Sequence, residues 1–258
     1  MRIAMLGAGA FGKVLGNVLT ENGHVVKYHD PTLGTILEDV LDGAEVMILC
    51  VPSHVASGLL PQLPADKPLI VTTKGFLTDS IFDRFDKVMI LSGPGFAKDI
   101  AEHKNTLLTA TDKLISDLFA NDYMSFDYSD DAKGVLMCGA LKNVYAIEAG
   151  FRGFAVGSAE MEHFIEIAAD EMALILSANG ANPDTMKCAC GIGDLILTCS
   201  PDSRNFEFGS KVALDTKYKS DKTVEGVSAL KRIRDGTIIV PENAAILLSL
   251  IGRSKEWD

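Results

Sequence analysis

The alternation of apolar runs with helical patterns predicts the fold of the first half of the chain. Short apolar runs recur between helix-like segments, and several of them end at Gly or Pro. Strands that alternate with helices are typical of an α/β fold with a doubly wound, mostly parallel sheet. Besides the run that opens the chain, the predicted strands are Val25–Asp30, Glu45–Val51, Leu69–Thr73, Val88–Leu91, Thr106–Ala110 and Ser125–Tyr128.

The second half of the chain changes to long helical patterns with few strand signals. The segment Ala132–Ala149 is apolar on most sides, which predicts a buried helix. The segment Ser158–Asn179 is amphipathic, and its acidic residues, Glu171 among them, fall outside the apolar stripe. We therefore predict two domains: a sheet domain, 1–129, and a separate all-α helical domain, 130–258.

A glycine motif links the first predicted strand to the first helix. Gly7, Gly9 and Gly12 form a G-x-G-x-x-G pattern, with Ala10 and Phe11 inside it. In a dinucleotide site the first glycine permits the turn, the second lets the backbone approach a pyrophosphate, and the third lets helix pack on strand. The phosphates then bind to N–H groups at the helix N-terminus. The motif predicts a Rossmann-type dinucleotide-binding domain.

An acidic residue, Asp30, ends the second predicted strand. A carboxylate at that position accepts hydrogen bonds from the adenosine ribose of NAD and repels the 2′-phosphate of NADP. NAD is therefore favoured over NADP. The alternative is that Asp30 only opens a turn with Pro31.

Several predicted strands end at residues suited to a ligand crevice. Ligands of doubly wound sheets bind at the carboxyl ends of the strands. The residues that fall there are Gly7, Asp30, Pro52, Lys74 and Gly93.

A lysine within the predicted buried helix is the first candidate for chemistry. Gly139 and Ala146 flank Lys142 at helical spacing, so one face of the helix is cut away beside the ammonium. Desolvation lowers the pKa of a lysine, which suits it to exchange a proton with a carbonyl or alcohol oxygen. The alternative is a lysine that extends to the surface with only its stem buried. Asn143 either orients a substrate oxygen or ties the helix to a loop.

A second cluster follows a glycine-rich turn, Gly191–Gly193. Asp194 there is suited to hold Lys142 or a substrate hydroxyl. Arg204 offers the planar fork that binds phosphate bidentately. The alternative is that Ser203 only begins a helix and Asp194 is another helix cap.

Composition and charge narrow the class of protein. The 258 residues carry a formal charge of -11, which argues against nucleic acid or an anionic membrane surface as a partner. No apolar run reaches the ~18 residues of a membrane span, and no signal peptide precedes the first strand. Five cysteines without regular spacing indicate a reducing cytoplasm. Cys188, Cys190 and Cys199 lack a fourth ligand at finger-like spacing, so we expect buried thiols and no metal.

Seven motifs, taken in chain order, resemble those of the NAD(P)-dependent glycerol-3-phosphate dehydrogenases, and together they span most of the chain. They are Gly7-Ala-Gly-Ala-Phe-Gly12, Thr73-Lys-Gly75, Leu91-Ser-Gly-Pro-Gly-Phe-Ala97, Gly139-Ala-Leu-Lys-Asn-Val144, Gly193-Asp-Leu-Ile-Leu-Thr-Cys199, Ser203-Arg-Asn205 and Val224-Glu-Gly226. The resemblance implies reversible hydride transfer between NADH and C2 of dihydroxyacetone phosphate, which gives sn-glycerol 3-phosphate. It also implies a homodimer, and a role in phospholipid precursor supply or redox balance.

The resemblance also implies roles for individual residues. Lys142 is the expected proton donor and acceptor, and the residues that arrange it and the substrate are Lys74, Asn143, Asp194 and Thr198. The expected contacts of the phosphate, with part of the cofactor, are Arg204 and Asn205. Gly93 and Ser203 line the substrate site, and the further contacts of the dinucleotide are Phe11, Ala97 and Glu225.

The chain departs from the family pattern in three places. It is shorter than usual, having lost most of the segment between the second strand and Glu45 and part of the helical domain. After Gly157 the family usually carries an Asn and paired alanines, where this chain has Ser158-Ala-Glu160. The family often has an Arg just past the second strand, where Asp30-Pro31 stands here, and this also favours NAD.

Two alternative functions remain open at this point. A β-hydroxyacid dehydrogenase of related architecture also uses a helical lysine, but an Asn is expected four residues after it, where this chain has Ala146. A degenerate homologue that binds NAD as a redox sensor is suggested by the shortening of the chain. The presence of Lys142, Asp194 and Arg204 argues against it.

Overall fold

The structure is a computed structural model that describes residues 1–75 and 80–257. These residues form two compact units. Of the described residues, the first unit contains 1–73 and 80–132, and the second contains Lys74, Gly75 and 133–257.

The strands of the first unit form one sheet of seven strands in the described part of the chain. They are β1 (Arg2–Leu6), β2 (Val25–His29), β3 (Val46–Leu49), β4 (Leu69–Val71), β5 (Val88–Ser92), β6 (Thr106–Ala110) and β7 (Met124–Tyr128). Their order is β2-β1-β3-β4-β5-β6-β7. Neighbouring strands run parallel, except that β5 and β6 pair antiparallel. The predicted Rossmann-type, mostly parallel sheet is confirmed.

Helices of the first unit alternate with these strands. They are α1 (Ala10–Glu21), α2 (Leu37–Leu41), α3 (Ser53–Leu59), α4 (Ser80–Arg84), α5 (Ala97–Ala101) and α6 (Lys113–Phe119). The apolar stripe of α1, with Leu15 and Leu19, packs on alternate residues of the sheet, including Ile3, Met5 and Ile48. Strand β3 is buried along its whole length, which explains its unbroken apolar sequence.

The second unit is helical. Its main helices are α7 (Ala132–Arg152), α8 (Ala159–Ala178), α9 (Asp194–Thr198), α10 (Arg204–Leu214), α11 (Glu225–Arg234) and α12 (Ala245–Arg253). Within α7 every residue from Gly134 to Gly150 is buried, as the apolar pattern predicts. Helix α8 begins after the Ser158 cap, and Gly180 follows its end with φ +73°. No described helix is long and apolar enough to cross a membrane.

One acidic residue of α8 lies where its helical pattern does not place it. Glu171 is buried, although the pattern puts it outside the apolar stripe. Its carboxylate accepts the hydroxyl proton of Tyr145 at 2.9 Å and the backbone N–H of Ile246 at 2.8 Å and of Leu247 at 3.2 Å. The pattern therefore does not place Glu171 correctly, because the first turn of α12 covers this residue and supplies hydrogen-bond donors for its charge.

Two glycines bring α7 and α10 into backbone contact. A Cβ on Gly150 would lie 2.0 Å from the carbonyl oxygen of Phe206, and one on Gly209 would lie 2.0 Å from that of Ile147. Any side chain at either position would force the helices apart. This contact fixes where α10 starts relative to the C-terminal part of α7.

Candidate active site

The glycine loop of the first unit is shaped by close backbone contacts. Gly7 has φ +114°, and a Cβ there would lie 2.4 Å from the carbonyl oxygen of Cys50. A Cβ on Gly12 would lie 2.2 Å from the carbonyl oxygen of Gly7. A Cβ on Gly9 would instead meet nothing within 4 Å. Close packing within the protein therefore requires glycine at positions 7 and 12. At Gly9 the absence of a side chain leaves the backbone open to a ligand.

The N-terminus of α1 fits a dinucleotide phosphate. Gly9 is the N-cap and provides no side-chain hydrogen bond to the N–H groups of the first turn. Gly9 and Ala10 are exposed, and Phe11 is half-buried against the core. The N–H groups at a helix N-terminus and the helix dipole favour an anion at such a position. The loop therefore has the form that a pyrophosphate needs.

Asp30 connects the glycine loop to the end of β2. One carboxylate oxygen accepts the N–H of Ala8 at 2.8 Å, and the other accepts the N–H of Thr32 at 2.9 Å and its hydroxyl at 2.7 Å. The hydrogen bonds from Thr32 and Ala8 lower the pKa of Asp30 below its usual range, so the group stays charged at neutral pH. Asp30 is thus an N-cap for the turn Pro31–Leu33, as the alternative interpretation predicts, and it also holds the glycine loop through Ala8.

Other strand-end residues of the first unit also lie where the sequence places them. Pro52 is half-buried and forms the N-cap of α3 after β3. Gly93 follows β5 with φ +143°, and a Cβ there would lie 3.0 Å from the Cα of Leu108. Ala97 is half-buried and begins α5. Gly93 therefore combines a left-handed backbone with close packing, which explains the glycine.

Lys142 is enclosed within the second unit. The residue is 2% exposed, so the lysine does not extend to the surface. Its ammonium forms an ion pair with Asp194, which is 1% exposed. Lys74 is a second cation close enough to lower the pKa of Lys142. The predicted pairing of Lys142 with Asp194 is present, although 51 residues lie between them in the sequence.

Opposing electrostatic effects set the pKa of Lys142 to about 7. Burial is the largest effect and lowers the pKa, because the charged form loses its hydration. The charge of Asp194 raises the pKa, and the neighbouring Lys74 lowers it. The amine can therefore give up and regain a proton near neutral pH, which an ordinary lysine cannot do.

The backbone around Asp194 is irregular, and this geometry brings its carboxylate to Lys142. A π-helical turn, Ala189–Gly193, runs directly into α9, and Gly191 inside it has non-helical angles. A Cβ on Gly191 would lie 2.3 Å from the carbonyl oxygen of Met186. At the start of α9, the hydroxyl of Thr198 donates to the carbonyl oxygen of Asp194 at 2.6 Å. One carboxylate oxygen of Asp194 has no hydrogen-bond partner among the described residues.

Helix α10 presents the cationic candidate. Ser203 is the N-cap, and its hydroxyl accepts the N–H of Asn205 at 3.3 Å. Arg204 is the first helical residue and is exposed, whereas Asn205 is buried. Glu225, which begins α11, is half-buried. The helix-start interpretation of Ser203 is therefore confirmed, and it leaves the guanidinium of Arg204 accessible to an anion.

The sequence analysis did not include the thiol of Cys199, which lies near Lys142, among the site residues. Cys199 is 2% exposed, and burial raises its pKa to about 12, although the charge of Lys142 opposes this shift. The thiol therefore stays neutral and adds no charge to the site. In the sequence, its position directly after Thr198 is the only indication that Cys199 lies at the site. No group of His, Cys, Asp and Glu that could hold a metal occurs in the described ranges.

Comparison with known sequences identifies the family. The sequence model of the NAD-dependent glycerol-3-phosphate dehydrogenase C-terminus matches residues 131–239. An NAD(P)+-dependent glycerol-3-phosphate dehydrogenase of Lactobacillus acidophilus is 33% identical, with 91% of this chain and 87% of that protein covered. The chain belongs to the NAD(P)-dependent glycerol-3-phosphate dehydrogenase family. A dehydrogenase of the same name from Azotobacter vinelandii is 31% identical over 90% of this chain and 84% of its own length.

Solved structures of glycerol-3-phosphate dehydrogenases share the fold. That of Coxiella burnetii superposes with a TM-score of 0.81 at 22% identity, covering 99% of this chain and 98% of that one. That of Saccharomyces cerevisiae gives 0.79 at 17% identity, covering 97% and 94%. A D-mandelate dehydrogenase gives 0.59 at 15% identity, covering 99% of each chain. At such identities the likeness establishes the fold alone. The sequence relatives establish that the chain belongs to a family of oxidoreductases that use NAD(P).

Proposed function

We propose that this chain transfers a hydride between NAD(H) and C2 of dihydroxyacetone phosphate or sn-glycerol 3-phosphate, with Lys142 as general acid and base. The observation that carries the proposal is the buried Lys142–Asp194 pair, in which the pKa of the lysine is lowered to about 7. A general acid is most effective when its pKa lies near the working pH. Membership of the dehydrogenase family supplies the substrate and the cofactor class.

The proton step follows from the charge of Lys142. The nicotinamide cofactor, when bound, would supply the hydride to C2. As the carbonyl electron pair moves to oxygen, the Lys142 ammonium gives that oxygen a proton and is left as a neutral amine. In the reverse direction the neutral amine takes the hydroxyl proton. Asp194 stabilises the charged form of Lys142, and Lys74 and Gly93 line the substrate.

The remaining assignments follow from the same proposal. The glycine loop with Asp30 binds the dinucleotide, so residues 1–129 are the cofactor domain and 130–258 the catalytic domain. Asn143 and Thr198 arrange the Lys142 centre, and Arg204 and Asn205 bind the substrate phosphate. Ser203 lines the substrate site, and further cofactor contacts come from Pro52, Ala97, Arg204 and Glu225. We place the protein in the cytoplasm because of its cysteine usage, and as a homodimer on the family resemblance.

The decisive assay is NADH oxidation by the purified protein with dihydroxyacetone phosphate, compared with 2-keto and 3-keto acids. Turnover with the phosphate alone supports the proposal. Turnover with a keto acid instead identifies a hydroxyacid dehydrogenase. If the folded protein binds NADH but turns over none of these substrates, the result supports the alternative of an NAD-binding redox sensor.

Arg204→Ala is expected to raise KM for dihydroxyacetone phosphate about 10- to 100-fold, because a hydrogen bond to a charged group contributes roughly 1.5–3 kcal/mol. The kcat should change little if the contact is equal in ground and transition states. Steady-state kinetics at saturating NADH measure both constants. Lys211→Ala removes an equal charge from an exposed position of the same helix and is the control. An unchanged KM in Arg204→Ala contradicts the role in phosphate binding.

Asp30→Ala is expected to narrow the preference for NADH over NADPH by about tenfold, which corresponds to ~1.4 kcal/mol. The carboxylate is charged at neutral pH and stands beside the phosphate loop, so its removal relieves repulsion of a 2′-phosphate. The measurement is kcat/KM with each cofactor. Asp39→Ala removes an exposed carboxylate of the same unit as the control. If kcat/KM falls by the same factor with NADH and with NADPH, Asp30 only caps the turn and holds the loop.

A further inference from the structure

His29 is the last residue of β2 and directly precedes Asp30. Strand β2 lies at the edge of the sheet, and the side chains of a strand alternate between its two faces. Tyr28 packs against the core that contains the apolar stripe of α1. His29 therefore lies on the opposite face with Lys27, whose ammonium donates to the carbonyl oxygen of Asp39 in α2 at 3.0 Å. This position is at the carboxyl end of the strand, where a doubly wound sheet binds its ligand.

The imidazole of His29 has a buried nitrogen that no group of the protein uses. Its Nδ1 has no hydrogen-bond partner among the described residues. The residue as a whole is half-buried, and its carbonyl oxygen accepts the N–H of Gly7 at 2.9 Å, so its backbone is tied to the glycine loop. A neutral imidazole carries a proton on only one of its two nitrogens. Protonation of Nδ1 therefore breaks no hydrogen bond of the protein.

The carboxylate of Asp30 keeps room for a ligand. Its two oxygens offer about four acceptor sites. Among the described residues, Thr32 fills two of these sites at Oδ1, and the N–H of Ala8 fills one at Oδ2. The site that is left at Oδ2 suits a ribose hydroxyl of a dinucleotide, which is the contact that an acidic residue makes at this position. The same negative charge repels a phosphate on that ribose.

The charges of His29 and Asp30 act at the same place. The hydrogen bonds from Thr32 and Ala8 are the main causes that lower the pKa of Asp30, and a charge on His29 lowers it further. The two side chains are therefore within electrostatic reach of each other. With a neutral imidazole the pair presents one negative charge to a ligand, whereas with a protonated imidazole its net charge is zero. The repulsion of a ribose 2′-phosphate thus depends on the protonation of His29.

The other charged groups around β2 do not change their charge in the same way. The main elements that pack on β2 are β1, α1 and α2. Their charged side chains, together with that of β2 itself, are Arg2, Lys13, Glu21, Lys27, Glu38 and Asp39. Lysine, arginine and carboxylate side chains ordinarily keep their charge between about pH 5.5 and 8, where histidine changes its own. Burial raises the pKa of Tyr28, so its hydroxyl stays neutral there.

We propose that His29 is a specificity-determining residue for the adenosine end of the cofactor. Neutral His29 leaves the charge of Asp30 to exclude NADP, and protonated His29 compensates that charge and admits a 2′-phosphate. The inference rests on the proposed function, because it requires that the glycine loop and Asp30 bind a dinucleotide. The proton comes from solvent, and no covalent bond forms. The preference for NAD is therefore strongest at neutral and alkaline pH and declines in mild acid.

The test measures the binding of two probes, adenosine 5′-monophosphate and adenosine 2′,5′-bisphosphate, which differ only in the 2′-phosphate. Each probe displaces NADH, whose fluorescence gives the dissociation constant at about pH 6 and about pH 8. Acid should raise the relative affinity for the bisphosphate about three- to tenfold more in the wild type than in His29→Gln, the effect of one nearby charge. The variant is needed because a phosphate monoester itself takes up a proton near pH 6. An acid effect of equal size in both proteins overturns the proposal.

Two further variants complete the comparison. His29→Lys supplies a lasting positive charge, so its relative affinity for the bisphosphate should exceed that of the wild type at about pH 8. An equal relative affinity at this pH overturns the proposal, and this comparison decides if His29→Gln does not fold. His24→Gln is the matched control, because His24 precedes the opposite end of β2, where its Nδ1 lies 3.1 Å from the N-terminal amine. Its binding should equal that of the wild type at both pH values.

Proton uptake gives a second readout that needs no turnover. If the bisphosphate binds more tightly to the protein with a charged His29, linkage requires that its binding draws a proton onto the protein. Calorimetry in two buffers of different ionisation enthalpy measures this uptake, which should be larger in the wild type than in His29→Gln. Equal uptake in the two proteins contradicts the proposal. Failure of the proposed function appears separately, as wild-type protein that binds NADH but does not oxidise it with dihydroxyacetone phosphate.

Discussion

Replacing Lys142 with methionine is expected to lower kcat for reduction of dihydroxyacetone phosphate by about 10²- to 10⁴-fold, the usual contribution of a general acid. Methionine approximates the volume of the lysine stem but has no proton to give. Because the ammonium lies in the second unit and is enclosed there, NADH binding should stay close to that of the wild type. Stopped-flow or steady-state NADH oxidation measures kcat, and fluorescence titration measures cofactor binding.

Two observations would contradict the assignment of Lys142. Loss of NADH binding together with activity would mark the lysine as structural, and full activity would exclude it from proton transfer. Lys187→Met is the matched control, because this lysine belongs to the same unit but its side chain is 77% exposed, where it pairs with Asp184. Its kinetics should equal those of the wild type.

The fold was predictable from sequence where the signal is local. The glycine loop, the burial of β3 and the buried helix α7 each follow from residues close together in the chain. Glu171 was not predictable, because its partners in α12 lie 75 and 76 residues further along the chain. A periodic pattern describes one helix and contains no information on which other helix covers its polar side.

The candidate site was predictable in its members and only partly in its arrangement. A buried lysine needs a counter-charge, and the sequence left two roles for Asp194: to hold Lys142 or to hold a substrate hydroxyl. What decides between them is the irregular turn before α9, whose form depends on Gly191 packing on the Met186 backbone. Asn143 and Asn205 were harder, since an amide pairs with almost any polar group. Only the structure shows that Asn143 and Asn205 hydrogen-bond to each other.

Two interior glycines, Gly150 and Gly209, were a signal that sequence reasoning did not use. Gly150 and Gly209 lie inside helices, where glycine costs about 1 kcal/mol relative to alanine. Such a cost is offset when the missing side chain allows two backbones to touch, and both residues lie at such a contact between α7 and α10. The same contact sets the start of α10, and hence Arg204, relative to Lys142. A helical glycine beside candidate site residues therefore indicates a fixed spacing between helices.

Replacing Asp194 with asparagine is expected to move the pH dependence of both reaction directions to lower pH. The charge of Asp194 raises the pKa of Lys142 against the effect of burial, so its removal lowers that pKa below about 7. Ketone reduction needs the protonated lysine and fails as pH rises through its pKa. At about pH 8, kcat for reduction should therefore fall about 10- to 100-fold if the pKa drops by roughly one to two units, each equal to 1.36 kcal/mol.

Alcohol oxidation distinguishes a change in titration from simple damage. Oxidation needs the neutral lysine, so its low-pH limb should extend to more acidic pH in Asp194→Asn, even if the plateau is lower because a substrate contact is lost. Asp184→Asn is the control, because its carboxylate is 68% exposed in the same unit and should leave both profiles unchanged. Reduced plateaus with both limbs unmoved would contradict electrostatic control of Lys142. Limbs displaced together to lower pH would identify Asp194 as the group that keeps this buried lysine able to carry a proton at neutral pH.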